Sequence, residues 1–446
     1  MLCNEHPEYR VAMLRNVATV RGTKSIFLMA VTSIVIRALA SLGRPIARFP
    51  DSEGYESFQL FGEIDRMWPV PLMYSLVQSD VARVILQIAI GSAVWIWLGV
   101  IVCRISRWPR VSFMLVVVLG LSPEVIRYDV TILSESLGIS FAVWAFAVSL
   151  QLITSPTRGI WILWFISLAF CAMTRPTHLL IPAVVVLPHL MRFIISKGKK
   201  FSLTAIAMCA LIVMGAVQAQ ANSSTSLLNF YTVLAERVIT DDQRYQWFVA
   251  RGMPDIAGAR EAFGYDYPAD LSPEVADIVQ LPVGQSPPRL MRIGGVALAQ
   301  WAKADGWKTY VTYVVTHPTD TASRLTSLLG PTLSPPNGDF LPLDNGPMLP
   351  AVVFGSWQLW SVLFVAGTTL MFLRSPSRRP AQLFITLGVI LILVYAASTL
   401  TSGIEHPRHA VTVSVMLRLA GLIAILTAIP RVSALTNRDA LDDEPT

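Results

Sequence analysis

Charge is scarce in this chain. Asp, Glu, Lys and Arg make up only 14% of its 446 residues, against roughly a quarter in ordinary soluble proteins. So few ionic groups cannot cover the surface of the two or three water-exposed domains that the length would allow. Cysteine is scarce as well: Cys103, Cys171 and Cys209 lie in or at the end of apolar stretches, and Cys3 lies near the N-terminus. None falls in the long polar segment after residue 220 and no CxxC pair occurs, which excludes a disulfide framework there and gives no sign of zinc. Internal repeats, low-complexity tracts and the inverted symmetry common in transporters are missing. The net charge is +6, yet no basic stripe interleaved with aromatics accompanies it, so no nucleic-acid partner is expected.

What the chain does have is apolar length: 53% of its residues are hydrophobic. They gather in blocks at 25–42, 81–103, 111–122, 131–153, 159–173, 178–196, 201–219, 351–373, 381–399 and 409–430. The blocks 111–122 and 159–173 fall short of the roughly 20 residues a perpendicular helix needs. The pattern predicts an all-α polytopic membrane protein of about ten transmembrane helices. No small-residue cleavage site follows the first block, which therefore reads as a retained anchor.

Basic residues cluster at Arg10, Arg15, Arg21 and Lys24, at Arg104, Arg107 and Arg110, and at Arg192, Lys197, Lys199 and Lys200. They cluster again at Arg374, Arg378 and Arg379, with Arg431 after the last block. Ten spans put all of these on one face, which the positive-inside rule makes cytoplasmic. Both the N-terminal stretch 1–24 and the tail 431–446 are then cytoplasmic, in a plasma (inner) membrane. The opposite loops carry Asp51, Glu53, Glu56, Glu63, Asp65, Glu124, Asp129 and Glu405. Helices one to seven occupy 25–219, with a first exterior loop at 43–80, and helices eight to ten occupy 351–430. In the first loop the spacing of Tyr55, Phe58, Leu60, Phe61 and Ile64 predicts an interfacial helix. Between the two sets, 220–350 is expected to be a small α-rich exterior domain, with helical runs at Leu227–Ile239 and through VALAQWAKADGWKTYVTYVVTHPTDTASRLTSLL.

Polar side chains concentrate at the exterior ends of the predicted helices. Asp51-Ser52-Glu53 supplies two carboxylates able to share a cation or divide acid–base work, though an ordinary acidic loop has the same composition. Arg127, Tyr128 and Asp129 precede a helix whose first turn holds Ser134, Glu135 and Ser136, where a Glu can also serve as a cap. Arg175, Thr177 and His178 occur in MTRPTHLL, and Glu405, His406, Arg408 and His409 in GIEHPRHAVTV. Arg grips phosphate through parallel charge-assisted hydrogen bonds; interface anchoring is the plainer role. Exterior Arg residues run against the positive-inside rule, which favours an anionic ligand. Arg418 lies near the middle of the last block, where a cation costs about 2.5 kcal/mol or more and should face the bundle interior or a wet cavity, as a structural ion pair or as part of a lipid path.

This layout resembles the polytopic glycosyltransferases of the C superfamily (GT-C), such as protein O-mannosyltransferases and bacterial lipid A aminoarabinose transferases. These place an acidic pair in the first exterior loop, as DSEGY does at Asp51–Tyr55. RYDVTILSESL is similar to their downstream acidic helix start, and EHPRHAVTV to a late Glu-x-Arg-Tyr segment, with His409 in the Tyr position. The resemblance implies a GT-C-like fold, a polyprenyl-phosphate sugar as donor and an exterior acceptor. It makes Asp51 the general base, with Glu53 positioning it or joining it in holding a divalent cation (Mg or Mn). Arg127, Arg175 and Arg408 would neutralise the departing phosphate, helped by His178 and His406, while Asp129, Glu135 and Glu405 complete the substrate site. Other readings stand beside it, a purely structural scaffold among them. A polysaccharide polymerase or ligase would rely on the late Arg and His residues; a transporter or flippase would place polar groups at mid-membrane, where only Arg418 fits.

Overall fold

A computed structural model describes residues 23–60, 66–195, 203–221, 223–259, 271–280, 289–335, 355–374 and 378–428. Phe61, Glu63, Ile64, Asp65, the basic residues before 23, those at 197–200 and Arg431 lie outside the described residues. Among those described the chain is helical, with a single isolated parallel bridge joining Ala47 to Thr131.

Each of the ten apolar blocks carries a helix. In chain order these are α1 (Thr23–Ser41), α2 (Asp80–Ile105), α3 (Pro109–Gly120), α4 (Glu135–Thr154) and α5 (Arg158–Ala172). The other five are α6 (Leu180–Ile195), α7 (Leu203–Ala221), α8 (Trp357–Arg374), α9 (Arg379–Leu400) and α10 (Val411–Ala428). Six of them, α1, α2, α4, α7, α9 and α10, are long and apolar enough to cross a membrane. A seventh span forms if α3 is joined to Pro123–Val130 across a 49° bend. The chain is an α-helical, multi-pass membrane protein. The expected ten spans therefore become six or seven that meet the criteria of length and composition. Prolines account for part of the shortfall. Pro123 ends α3 because a proline ring disfavours helix in the residue before it, and Pro176 separates α5 from α6 in the same way.

α4 and α10 form the hub, packing on each other and on α2, α3, α5, α8 and α9. Their most apolar windows are 67% and 78% buried, against 17% for α1 and 22% for α7, which ring the bundle. Phe27, Leu28 and Leu39 on α1 and Leu203 and Val213 on α7 face outward. Lipid tails are as apolar as these side chains, so that exposure carries no hydrophobic penalty in a bilayer. Small residues let α8 and α10 touch: a Cβ on Gly367 would stand 2.6 Å from the Ala424 carbonyl carbon, and one on Gly421 2.8 Å from the Trp360 oxygen.

The described residues between 223 and 316 build a second core around Phe230, Tyr231, Leu234, Phe248, Leu290 and Leu298. It is docked on the bundle by Arg237, whose guanidinium hydrogen-bonds the carbonyls of Thr399, Leu400 and Ser402. A helix C-terminus leaves its last carbonyls without partners, and a cation is favoured there. The Tyr310 hydroxyl adds a hydrogen bond of 2.9 Å to the Leu400 carbonyl.

The last helix of this region, Pro318–Leu333, runs alongside α10 and ends at Arg418. Arg418 is fully buried and hydrogen-bonds the carbonyls of Leu333 (2.8 Å), Gly355 (3.0 Å) and Ser414 (3.0 Å), plus the Ser334 hydroxyl (2.7 Å). Irregular backbone at membrane depth survives only when protein satisfies it; Arg418 does so by capping the buried end of Pro318–Leu333. The interfacial helix expected over residues 55–64 does not form in its described part. After the short 3-10 turn Pro50–Tyr55, Phe58 and Leu60 are non-helical. Tyr55 turns inward, with the Arg66 guanidinium 5.3 Å from its ring centre.

Candidate functional site

Four distant segments meet at the N-terminal end of α4. Asp51 is carried on the Pro50–Tyr55 turn, which Ser52 closes by accepting the Phe49 N–H at 2.9 Å. Glu135 opens α4, where the partial positive charge of a helix N-terminus favours a carboxylate. Arg175 extends from the break before Pro176. Arg408 sits in the turn His406–His409, entered through Glu405 in the left-handed conformation (φ 54°). A non-glycine residue there is strained and must be held by its surroundings; Glu405 is held by Arg408 at 2.7 Å.

Arg408 is the centre of the network. Its guanidinium also donates to Asp51 at 2.9 Å and to Glu135 Oε1 at 2.8 Å. Arg175 donates to the same Glu135 oxygen at 2.5 Å, to the Ser134 hydroxyl at 3.1 Å and to the His409 carbonyl at 3.1 Å. Arg66 reaches the second oxygen of Asp51 at 2.8 Å. Three guanidiniums thus face three carboxylates, Asp51, Glu135 and Glu405. Burial opposes the charge on Arg408, but Glu135, Asp51 and Glu405 outweigh it and hold its pKa well above the ordinary value. Burial, Arg175 and Arg408 together push His409 down to about 3, so the ring is neutral at physiological pH. Beneath the network, Glu135 Oε2 and the Tyr128 hydroxyl are buried with no hydrogen-bond partner among the described residues.

A cavity of about 350 Å³ lies deeper in the bundle between α4, α5, α6, α9 and α10, and no residue of the Arg408 network lines it. Its walls are apolar, including Phe146, Trp164, Leu168 and Leu391, and two residues close to the network, His178 and Thr412, also line it. That volume falls within the range of small-molecule sites.

Other candidate residues stand elsewhere. Asp129 is fully buried in an ion pair with Arg37 of α1 (2.7 and 2.9 Å) and accepts the Ser136 hydroxyl at 2.8 Å. Its carboxylate is committed to joining α1 to the α3–α4 turn and is not part of the Arg408 network. Arg127 is buried and acts electrostatically on Glu124. His178 lies 3.1 Å, through Nδ1, from the Cys171 carbonyl. His406 shares the turn of Arg408 and feels the charges of Arg237 and Arg324. Glu53 is exposed. The expected cation does not fit here: both oxygens of Asp51 are taken by guanidiniums, and no group of three His, Cys, Asp or Glu among the described residues is arranged to hold a metal.

Two participants escaped the sequence reading although signals were present. Arg66 stands in the loop expected to be exterior, against the positive-inside trend, and Arg37 interrupts the first apolar block, where any intramembrane cation marks a partner. No protein-family model, curated protein or solved structure matches the chain.

Proposed function

We propose that the protein is a GT-C-like membrane glycosyltransferase that moves a sugar from a polyprenyl-phosphate donor to a hydroxyl-bearing acceptor on the exterior face of a plasma membrane. One observation carries this reading: Asp51 of the first exterior segment and Arg408 of the last are ion-paired at 2.9 Å and joined through Glu135 to Arg175. An apolar cavity deeper in the bundle reaches toward them at His178 and Thr412, and a donor with a charged head and a long apolar tail calls for both kinds of surface.

In the proposed reaction the acceptor oxygen attacks the anomeric carbon while the bond from that carbon to the phosphate oxygen breaks. The departing polyprenyl phosphate takes the bonding electrons, and Asp51 receives the acceptor's proton, inverting the sugar's configuration. Arg66 and Arg408 orient the base, and Arg175 and Arg408 stand where they can answer the charge that develops on the leaving group. No step is assigned to a metal.

The test is a panel of polyprenyl-phosphate sugars incubated with the purified full-length protein. Release of polyprenyl phosphate is expected with at least one donor, reduced at least about 100-fold in Asp51→Asn. Turnover in Asp51→Asn equal to that of the parent removes Asp51 as the base. A donor panel that is neither bound nor turned over overturns the reading.

A further inference from the structure

The carboxylate network balances its own charge, but a second set of cations behind it does not. Arg324 projects from the middle of Pro318–Leu333. That helix is pinned at its end to Arg418, nine residues beyond, or about 13 Å along an α-helix. Arg418 is in turn seven residues, or about 10 Å, below the start of α10. Arg324 is therefore level with the His406–His409 turn, and the two elements pack together. The Tyr395 hydroxyl of α9 fixes this height by donating to the Leu325 carbonyl at 2.7 Å. Arg237, held on the carbonyls of Thr399 and Ser402, closes the third side.

The polar atoms at this junction are unsatisfied. Arg324 Nε and His406 Nδ1 are both buried without a hydrogen-bond partner among the described residues. No carboxylate among the described residues lies within ion-pair distance of Arg324; Glu236 acts on it only at longer range and faces Arg237 as well. Tyr310 and backbone carbonyls, which carry no full negative charge, are the hydrogen-bond partners of Arg237. Neither guanidinium nor the histidine is in an ion pair with a carboxylate among the described residues. Burial and the two arginines push the His406 ring down to about 4, the behaviour of a base among uncompensated cations. Buried donors of this kind occur where a ligand supplies the missing acceptors.

We propose that Arg324 and His406, backed by Arg237, form a binding site for a phosphate-class anion at the seam between helix Pro318–Leu333 and the turn that enters α10. The site stands on charge balance and does not rest on the sugar-transfer reading. Arg324 supplies a planar two-donor face and His406 a further nitrogen. The anion is either the headgroup of a lipid phosphate or a free phosphate.

The experiment uses the full-length protein in nanodiscs of zwitterionic lipid, titrated with decyl phosphate and, separately, with inorganic phosphate. Binding is read by calorimetry and by the shift of the unfolding midpoint. Saturable binding of decyl phosphate, at least about tenfold weaker in Arg324→Gln and partly restored in Arg324→Lys, supports the site with a lipid phosphate as its ligand. Equal binding of inorganic phosphate, with the same loss, supports the site with a free phosphate. Without ligand, Arg324→Gln is expected to unfold at the same or a higher midpoint, because it removes a repelling cation rather than a bonded one. Wild-type affinity in Arg324→Gln, or no binding of either probe to the parent protein, overturns the proposal. Either result leaves the Asp51 test standing.

Discussion

Two ion-pair systems meet at the start of α4, where Ser136 serves one and Glu135 the other, and are built to different ends. Arg37 and Asp129 form a closed pair: both side chains are almost inaccessible, the fork is bidentate, and Ser136 takes up further acceptor capacity of the carboxylate. Gly91 of α2 makes room for it, since a Cβ there would stand 2.3 Å from the Arg37 guanidinium. Asp51 and Arg408 form an open system. Asp51 keeps 27% of its side chain exposed, shares two arginines, and sits at the end of a chain of exchangeable partners that reaches the unpartnered Glu135 Oε2. A saturated, dry pair fixes a helix in place. A partly exposed carboxylate shared by two guanidiniums is open to solvent and to a ligand.

This contrast can be broken by measurement, and the closed pair gives the largest expected effect. Asp129→Ala leaves the Arg37 charge buried without its partner. It should lower unfolding stability by about 3–5 kcal/mol, a loss visible in denaturant titration of the purified protein. If Asp129→Ala unfolds like the parent, the pair is not the structural joint described here.

Acid should act next, and on the open side. The rings of His406 and His409 are neutral when folded, at about 4 and about 3, but titrate near the ordinary histidine value when unfolded. The unfolded state therefore binds more protons as pH falls below about 6.5, and stability declines toward acid. From pH 7 to pH 6 each ring contributes a loss of about 0.7 kcal/mol. His409→Gln should remove its own share of that slope; an unchanged slope would place the acid sensitivity elsewhere.

The smallest structural effect is expected from Asp51→Asn. Arg408 retains Glu135 and Glu405, and the lost pair is partly solvated, so stability should change by about 0.5 kcal/mol or less. A large loss would turn Asp51 into a second structural joint and end the contrast.

Much of the fold was legible in advance. Apolar blocks long enough to leave water can only become helices in lipid, and each of the ten did. The runs expected to be helical at 227–239 and 296–329 are helical, the second broken at His317, with π-helical turns at Leu234–Val238 and Ala302–Gly306 that no simple period reveals. The site was legible only in part. Asp51, Glu135, Arg175, Glu405 and Arg408 are brought together, while Asp129, Arg127, His178, His406 and Glu53 are not, although all ten share the same apparent depth along the sequence.

Hydrophobic length and the scarcity of charge by themselves determined that this chain is helical and belongs in a membrane, because transfer of apolar surface and satisfaction of backbone hydrogen bonds depend on local composition. Which carboxylate meets which guanidinium was decided only in three dimensions. An ion pair such as Asp51 with Arg408 spans 357 positions, and its formation depends on how helices cross, information that no local window contains.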